Sequence, residues 1–217
     1  MDGNGRWAVK RRKPRTDGHK QGVESIKKIV DASIKNGIKT LSLFAFSTEN
    51  WKRDKVEVDY ILSLIEKYAQ DVVEDFVSKN VRFRTIGNLN KFSEKFNEVI
   101  SEAVKKTAKC DGLIVNVALN YGGQDDILMA VNQLIEEGKN KVTLKEFEEK
   151  LQTKGLRNPD LIIRASGEQR LSNFMLFQSA YSELMFPKKL WPDFGEKDLL
   201  KAIKAYSKRE RRFGAIK

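Results

Sequence analysis

Two arginines follow an apolar run near residue 160 in an arrangement suited to binding phosphate. Arg164 and Arg170 stand six positions apart with Ser166 and Gly167 between them, and Ser172 follows. Guanidinium groups bind phosphate oxygens through paired, charge-assisted hydrogen bonds that are roughly twice as strong as neutral ones. A single surface arginine is usually only solvated. The pair, with the hydroxyl and the glycine, therefore predicts an anion site.

The beginning of the chain offers a second candidate phosphate site. Gly3–Gly5 can present backbone N–H groups at a helix start, and Arg6 adds a cation. Asp2 beside a bound phosphate is repulsive unless a divalent cation lies between them, which makes Asp2 a candidate Mg²⁺ ligand. A calcium loop is excluded, because Trp7 stands where that loop needs glycine and Lys13 where it needs glutamate.

Further polar clusters follow other apolar runs. Ser47–Arg53 comes after Leu41–Ser47, and Asn120–Gly123 comes after a run that starts at Leu113. Ligands of open parallel sheets bind beyond the carboxyl ends of the strands, so these clusters are candidate site residues. The basic stretch Lys10–Lys20 fits a solvated face or a nucleic-acid arm. His19, which lies in that stretch, fits either a ligand or a structural residue.

The elements that would position these residues alternate between strands and helices. This alternation is typical of an α/β fold with a mostly parallel central sheet flanked by helices, and nothing divides residues 1–217 into more than one domain. The predicted strands are Leu41–Ser47, Val81–Gly87, Leu113–Asn120 and Leu161–Ala165. Four predicted helices are Val23–Asn36, Val56–Asn80, Leu144–Lys154 and Glu196–Arg211. A fifth has the apolar stripe Phe96 to Val104 and the cap Ser93. A sixth has the stripe Ile127, Val131, Leu134 and Ile135 and the cap Asp125 or Asp126.

Composition narrows the class of protein. The 217 residues carry a formal net charge of +11, which favours anionic partners such as nucleic acids, anionic membranes or phosphorylated small molecules. The lone Cys110 allows no internal disulfide, and no apolar run reaches the roughly 20 residues needed to span a bilayer. No secretory signal pattern is present, so a cytoplasmic location with at most peripheral membrane contact is expected.

Taken together, these clusters resemble the cis-prenyltransferases, most closely bacterial undecaprenyl diphosphate synthases. The matching segments occur in the family's order over nearly the whole chain. They are MDGNGRWA at Met1–Ala8, GHKQG at Gly18–Gly22, FSTENWKR at Phe46–Arg53, RFRTIG at Arg82–Gly87, LNYGG at Leu119–Gly123, RASGEQRLSNF at Arg164–Phe174, YSEL at Tyr181–Leu184, LWPDF at Leu190–Phe194 and RERRFG at Arg209–Gly214.

The resemblance implies a mostly parallel sheet wrapped by helices and an enzyme that is a homodimer. It implies Mg²⁺-dependent condensation of an allylic diphosphate, typically farnesyl diphosphate, with successive isopentenyl diphosphates. The product would be a cis-polyprenyl diphosphate, undecaprenyl diphosphate, the precursor of a cell-wall carrier lipid. Our own hypothesis is that a stripe of the helix Val56–Asn80 lines a channel for the growing product against the sheet; its residues are Ile61, Leu62, Ile65, Val72 and Phe76.

The resemblance also implies roles for individual residues. The allylic diphosphate would be bound by Gly3, Asn4, Gly5 and Arg6 with Arg15 and His19, and isopentenyl diphosphate by Arg164, Arg170 and Ser172. Trp7 and Glu49 are further expected substrate-binding residues, and Ser47, Asn50, Trp51 and Arg53 would lie between the substrates. Asp2 and Asn50 are the expected catalytic residues, with Asn50 positioning the proton that is lost. Mg²⁺ would be held by Asp2 and by Glu183, which a second subunit could contribute. Arg212–Gly214 matches a tail that reaches the partner's isopentenyl site.

This sequence departs from the family's pattern at a few positions. Ala165 replaces a common Thr, Asn88 a common Asp and Phe177 a common Trp, and none of these is an expected phosphate or metal ligand. The turn-like start at Asp2 has no strand before it, so the first strand of the fold is expected to be missing from this chain.

Three other classes compete with this interpretation. A nucleic-acid-binding protein fits the charge, but no zinc-ligand set, RNP-like aromatic pair or helix-turn-helix pattern accompanies it. A catalytically silent partner subunit is disfavoured because Asp2, Arg6, Glu168 and Glu183 are present along with the arginine pair. The all-helical trans-prenyltransferases use Asp-rich motifs, which Asp125 and Asp126 do not complete.

Overall fold

The computed structural model describes residues 1–210 of the chain, so the expected tail Arg212–Gly214 lies outside the described residues. Its helices are α1 (Asn4–Lys10), α2 (Arg15–Lys35), α3 (Lys55–Asp71), α4 (Val73–Ser78), α5 (Glu94–Lys106), α6 (Gly123–Glu136), α7 (Leu144–Glu148) and α8 (Glu196–Ser207). Its strands are β1 (Thr40–Ser47), β2 (Arg82–Ile86), β3 (Ile114–Tyr121), β4 (Leu161–Ile163) and β5 (Glu183–Met185). The predicted α/β class is confirmed.

The chain forms two compact units. The first unit contains Met1–Ala32, Asn158–Leu171 and the chain from Gln178 onward, and the second contains Ser33–Arg157 and Ser172–Phe177. The expectation of one domain over residues 1–217 stays a prediction.

The second unit is built on a three-stranded parallel sheet in the order β1-β3-β2. The central strand β3 buries every residue after Ile114, which agrees with its near-continuous apolar sequence. At its end, the ring of Tyr121 packs edge-on against Phe44 and Phe174. The polar residues that follow β3 therefore extend from a buried strand, and those that follow β1 extend from a strand that pairs with it.

The helices of the second unit begin largely as their sequences predict. The Ser93 side chain accepts a hydrogen bond from the Phe96 backbone and caps α5, which packs against β2 and α3. The predicted helix Val56–Asn80 is instead two helices, α3 and α4, that meet at Val72. Two consecutive β-branched valines, Val72 and Val73, are both buried at this break, and such side chains weaken a helix.

The predictions for α6 and α7 need correction. The N-cap of α6 is Gly122, whereas Asp125 and Asp126 lie in its first turn. Asp126 is buried and accepts hydrogen bonds from the Tyr121 hydroxyl and the Gln152 backbone. The buried residues of α6 are Gly123, Asp126, Ala130 and Leu134, which leaves Val131 and Ile135 of the predicted stripe 37% and 65% exposed. Helix α7 ends at Glu148, six residues before the predicted end, because the chain continues in a series of turns.

The first unit holds the two-stranded parallel sheet β4-β5 together with α1, most of α2 and α8. The three-residue strand β5 was not predicted, because such a short segment carries no periodicity. Trp191 joins two segments of this unit, since its indole N–H donates to the Gly22 carbonyl at 2.9 Å and its ring stacks on Phe194. Among residues 1–210, no helix is both long and apolar enough to cross a bilayer.

Candidate active site

The turn after β4 brings the start of the chain next to the predicted phosphate-binding arginines. The Ser166 hydroxyl donates to the Asp2 carbonyl at 2.7 Å, and the Trp191 backbone N–H donates to the same oxygen. Gly3 precedes α1 in a left-handed conformation (φ 91°), and a Cβ there would lie 2.2 Å from Ser166 Oγ. Only glycine fits this position without displacing Ser166.

Asp2 lies between two of the arginines. Its Oδ2 accepts from Arg164 Nη2 at 3.1 Å, and its Oδ1 accepts from Arg6 Nη2 at 3.4 Å and from the Gly3 backbone N–H at 2.7 Å. Partial burial raises the pKa of Asp2, but the hydrogen bonds from Arg164 and Gly3 outweigh burial and leave the pKa below its usual value. The carboxylate is therefore ionised at neutral pH, as a metal ligand must be.

Glu168 connects the remaining members of the cluster. Its Oε1 accepts from Arg6 Nη1 at 2.8 Å and its Oε2 from Arg170 Nη1 at 2.7 Å, while Arg164 Nη1 donates to the Arg170 carbonyl at 2.6 Å. Hydrogen bonds from Arg170 and then from Arg6 lower the pKa of Glu168. We call this closed cycle the carboxylate–arginine ring; its members are Asp2, Arg6, Arg164, Glu168 and Arg170. Three cations and two anions leave the ring with excess positive charge.

The other predicted allylic-site residues of the first unit adjoin the start of α1. Asn4 Nδ2 lies 3.5 Å from His19 Nδ1. The Asn4 backbone lies close against Gly18, where a Cβ would be only 2.0 Å from the Asn4 carbonyl oxygen. A Cβ on Gly5 would lie 2.8 Å from the Arg15 guanidinium carbon. The structure therefore brings these predicted residues together around α1.

Trp7 has mainly structural contacts. Its side chain is buried, and its indole N–H donates to Asp193 at 2.7 Å. Arg11 bonds the same carboxylate and lies over the Trp7 ring at 4.3 Å. Asp193 was not predicted as part of this region.

Glu183, the second predicted metal ligand, lies apart from the carboxylate–arginine ring. It begins β5 in register with Leu161, whereas Arg164 follows the other end of β4. Three residues along a strand correspond to about 10 Å. The Glu183 carboxylate accepts a hydrogen bond from Arg209. Within this chain, Asp2 and Glu183 therefore lie toward opposite ends of the two-stranded sheet.

The residues predicted after β1 in the second unit form hydrogen bonds to the backbone, to Asn120 and to Glu57. Asn50 Oδ1 accepts from the Ser47 backbone N–H at 3.1 Å. Trp51 donates to Asn120 Oδ1 at 2.8 Å, and Asn120 Nδ2 donates to the Asn88 carbonyl at 2.7 Å. Arg53 pairs with Glu57 one helical turn later. Asn120 was within a polar cluster in the sequence, but its two side-chain bonds were not foreseen.

Ser172 begins the short segment Ser172–Phe177, which belongs to the second unit. Ser172 and Asn173 both have positive φ. The Asn173 side chain accepts from the Gln124 backbone at 2.8 Å and donates to Glu49 Oε1 at 3.3 Å. Burial raises the pKa of Glu49, but hydrogen bonds from Ser47 and its neighbours leave it below the usual value. Asn173 therefore fixes this segment against the start of α6 and the end of β1.

Comparisons with known proteins identify the family. The sequence profile of the undecaprenyl diphosphate synthase family of prenyltransferases matches residues 1–214. The chain belongs to this family. It is 47% identical to an isoprenyl transferase of Clostridium perfringens over 100% of this chain and 88% of that protein. It is 45% identical to an isoprenyl transferase of Lactococcus lactis over 100% of this chain and 91% of that protein.

Solved structures of the family have the same fold. Lavandulyl diphosphate synthase from Lavandula x intermedia, in complex with dimethylallyl diphosphate, superposes with a TM-score of 0.95 at 36% identity, over 99% of this chain and 95% of that one. A probable undecaprenyl diphosphate synthase from Campylobacter jejuni superposes with a TM-score of 0.82 at 38% identity, over 90% and 93%. The protein is a prenyltransferase, as the sequence motifs predicted.

Proposed function

We propose that this prenyltransferase condenses an allylic diphosphate, farnesyl diphosphate, with successive isopentenyl diphosphates to give a cis-polyprenyl diphosphate. The observation that carries the proposal is the carboxylate–arginine ring, which joins an ionised aspartate to the arginines expected to bind two diphosphates. A related enzyme with the same fold is known in complex with dimethylallyl diphosphate, itself an allylic diphosphate. We propose undecaprenyl diphosphate, a cell-wall carrier lipid precursor, as the product.

The reaction explains why such residues are needed. The allylic carbon–oxygen bond breaks and the diphosphate leaves with the electron pair. The double bond of isopentenyl diphosphate then forms the new carbon–carbon bond, and a proton is lost to an oxygen of the released diphosphate. Charge therefore develops on the departing diphosphate, and fixed N–H and guanidinium donors stabilise it. Asn50 is the proposed positioning group for the lost proton.

The two diphosphates would divide the ring between them. The backbone of Gly3–Gly5 and the Arg6 guanidinium, with Arg15 and His19, would bind the allylic diphosphate. Arg164 and Arg170, with Ser172, would bind isopentenyl diphosphate. The ring carboxylates already hold these guanidinium groups in place, so the phosphate oxygens would meet cations that are orientated before the substrate binds.

The residues present fit a magnesium ion. Magnesium is usually held by one or two carboxylates together with substrate phosphates, and it does not need a cage made entirely of protein ligands. Residues 1–210 contain no group of three or more acidic, histidine or cysteine side chains that could hold a metal. Asp2 is ionised and adjoins the arginines, so it would hold the ion, and Glu183 of a second subunit would complete the set. When bound, the ion would neutralise charge on the diphosphate.

Three further parts of the proposal concern the setting of the enzyme. We propose a homodimer, because Glu183 and Asp2 lie at opposite ends of the β4-β5 sheet within one protomer. Peripheral membrane contact during product release is proposed from the net charge of +11 and the apolar product. The cytoplasmic location stays a prediction from the sequence.

The direct test is turnover by the purified protein with farnesyl diphosphate, labelled isopentenyl diphosphate and Mg²⁺. We expect label in long polyprenyl products and a loss of about 10²-fold or more in Asp2→Ala, because the metal and its neutralising charge are lost together. Asp59→Ala, an exposed aspartate of α3, is the matched control and should retain full activity. Wild-type protein that incorporates no label at any Mg²⁺ concentration would refute the proposed reaction.

Product length provides a second test, on α3. Val72 and Phe76 of the predicted channel stripe are fully packed, but Leu62 and Ile65 retain some exposure and could face a product. We expect Leu62→Trp to shorten the polyprenyl product, while Ser63→Trp on the exposed face of the same helix leaves its length unchanged. Identical products from both variants would exclude α3 as the wall of the channel.

A further inference from the structure

We propose that Glu168 is a positioning residue that holds the arginines of the two diphosphate sites, Arg6 and Arg170, in one fixed arrangement. The inference rests on the proposed function and gives a role to a residue that is not among the expected substrate-binding residues or metal ligands.

The geometry gives each arginine its own oxygen. Arg6 Nη1 lies 2.8 Å from Oε1 of Glu168, and Arg170 Nη1 lies 2.7 Å from Oε2. Arg6 comes from α1, 162 positions before Glu168, and Arg170 from the loop after β4, two positions after Glu168, so residues far apart in sequence meet at this carboxylate. A single glutamate thus fixes the separation of two guanidinium groups that would otherwise move independently.

Stability does not account for the arrangement. The side chains of Arg6 and Arg170 are 47% and 60% exposed, and ion pairs with that exposure contribute little to folding. Arginine side chains lose considerable rotamer freedom when they are held, and an arginine that is already held loses less on binding a ligand. Glu168 therefore lowers the cost of binding diphosphate while it contributes little to the fold.

A competing role for Glu168 predicts the opposite change in anion affinity when its charge is removed. If Glu168 only competed with phosphate for the two cations, removal of its charge would strengthen anion binding. If it positions the arginines, removal of its charge should weaken anion binding, because glutamine cannot accept from both guanidinium groups through two oxygens. The sign of the change in affinity separates the two roles.

The test compares the wild type with Glu168→Gln. We expect the Kd for inorganic pyrophosphate, measured by calorimetry in Mg²⁺, and the KM for isopentenyl diphosphate both to rise about tenfold, with a smaller change in kcat. The urea midpoint should stay unchanged. Glu149→Gln, which removes an exposed glutamate paired with Lys154, is the matched control and should alter neither constant.

Two further variants sharpen the test. Glu168→Asp keeps the charge but is too short to span both arginines, so its Kd should lie between those of the wild type and Glu168→Gln. In an Arg170→Gln background, the additional effect of Glu168→Gln should shrink, because one of the two held groups is already gone.

The outcomes distinguish this inference from the proposed reaction. Pyrophosphate affinity that is unchanged or higher in Glu168→Gln overturns the positioning role, whether or not the wild type turns over substrate. Weaker binding with normal wild-type condensation supports both. Weaker binding in the variant, when the wild type makes no polyprenyl product, supports the positioning role for a diphosphate ligand and refutes the reaction.

Discussion

The two polar clusters of this protein are built from different kinds of contact. In the first unit, the carboxylate–arginine ring consists of charged side chains that bond mainly to one another, and Arg6 and Arg170 are its most exposed members. In the second unit, neutral amides of Asn50, Asn120 and Asn173 bond mainly to backbone groups, and Asn120 is buried. Exposed arginines remain accessible to a ligand, whereas amides that bond to the backbone hold it in place. The ring is suited to binding and the amide cluster to support.

The largest expected effect tests the supporting role of the amide cluster. Asn120→Ala removes the acceptor of Trp51 and the donor to Asn88, and it places alanine at φ 49°. We expect the free energy of unfolding to fall by about 3 kcal/mol, because two buried hydrogen bonds are lost. Urea unfolding measures this change. Asn132→Ala, an exposed asparagine of α6, is the control, and an equally small effect of both variants would contradict the comparison.

In the carboxylate–arginine ring, we expect a smaller effect on stability together with a loss of anion affinity. Arg6→Gln should lower the free energy of unfolding by less than about 1 kcal/mol, since its ion pairs are exposed. Its Kd for inorganic pyrophosphate should nevertheless rise about tenfold, because a charge-assisted bond to phosphate is lost. Calorimetry and urea unfolding on the same sample separate the two quantities. Lys27→Gln, from an exposed pair with Glu24, should change neither, and a large stability loss in Arg6→Gln would make the ring structural.

The smallest expected effect is on the pKa of Asp2. Arg164→Gln removes a hydrogen bond and a charge that lower the pKa of Asp2, while the burial that raises it remains, so the pKa should rise. Carboxyl-carbon NMR of labelled aspartate would follow it, with Arg157→Gln as an exposed control. Because the folded-state pKa of Asp2 is depressed, its contribution to stability is present above the unfolded pKa and is lost as pH falls through the folded pKa. This acid-side loss should shrink in the variant, and an unmoved Asp2 pKa would contradict the assignment of Arg164.

The sequence predicted the fold wherever the local signal was long. Strands β1, β2 and β3 were predicted because their segments are rich in Val, Ile, Leu and Phe and end in Ser, Gly or Asn, and α5 because Ser93 precedes a clear stripe. Strand β5 was missed because three residues carry no period. The buried face of α6 was predicted wrongly because Asp126, a charged residue, is buried. Its hydrogen bonds with Tyr121 and Gln152 are not revealed by any local sequence pattern.

The site was predictable in its residue types but not in its connections. Arg164 and Arg170 drew attention as a pair, and Glu168 between them could have been noted as an acid among cations. That Arg6 completes the pairing from 162 positions away depends on tertiary packing, which a single sequence does not encode locally. The two side-chain hydrogen bonds of Asn120 likewise depend on tertiary packing, since both of its partners come from other elements.

The three tryptophans are divided between the units in a way that has a spectroscopic consequence. Trp7 and Trp191 belong to the first unit, and Trp51, held by Asn120, belongs to the second. In a Trp51→Phe protein, fluorescence would report on the first unit alone, and in a Trp7→Phe, Trp191→Phe protein on the second alone. Stopped-flow traces of the two proteins would show whether the units unfold in one kinetic phase or in succession.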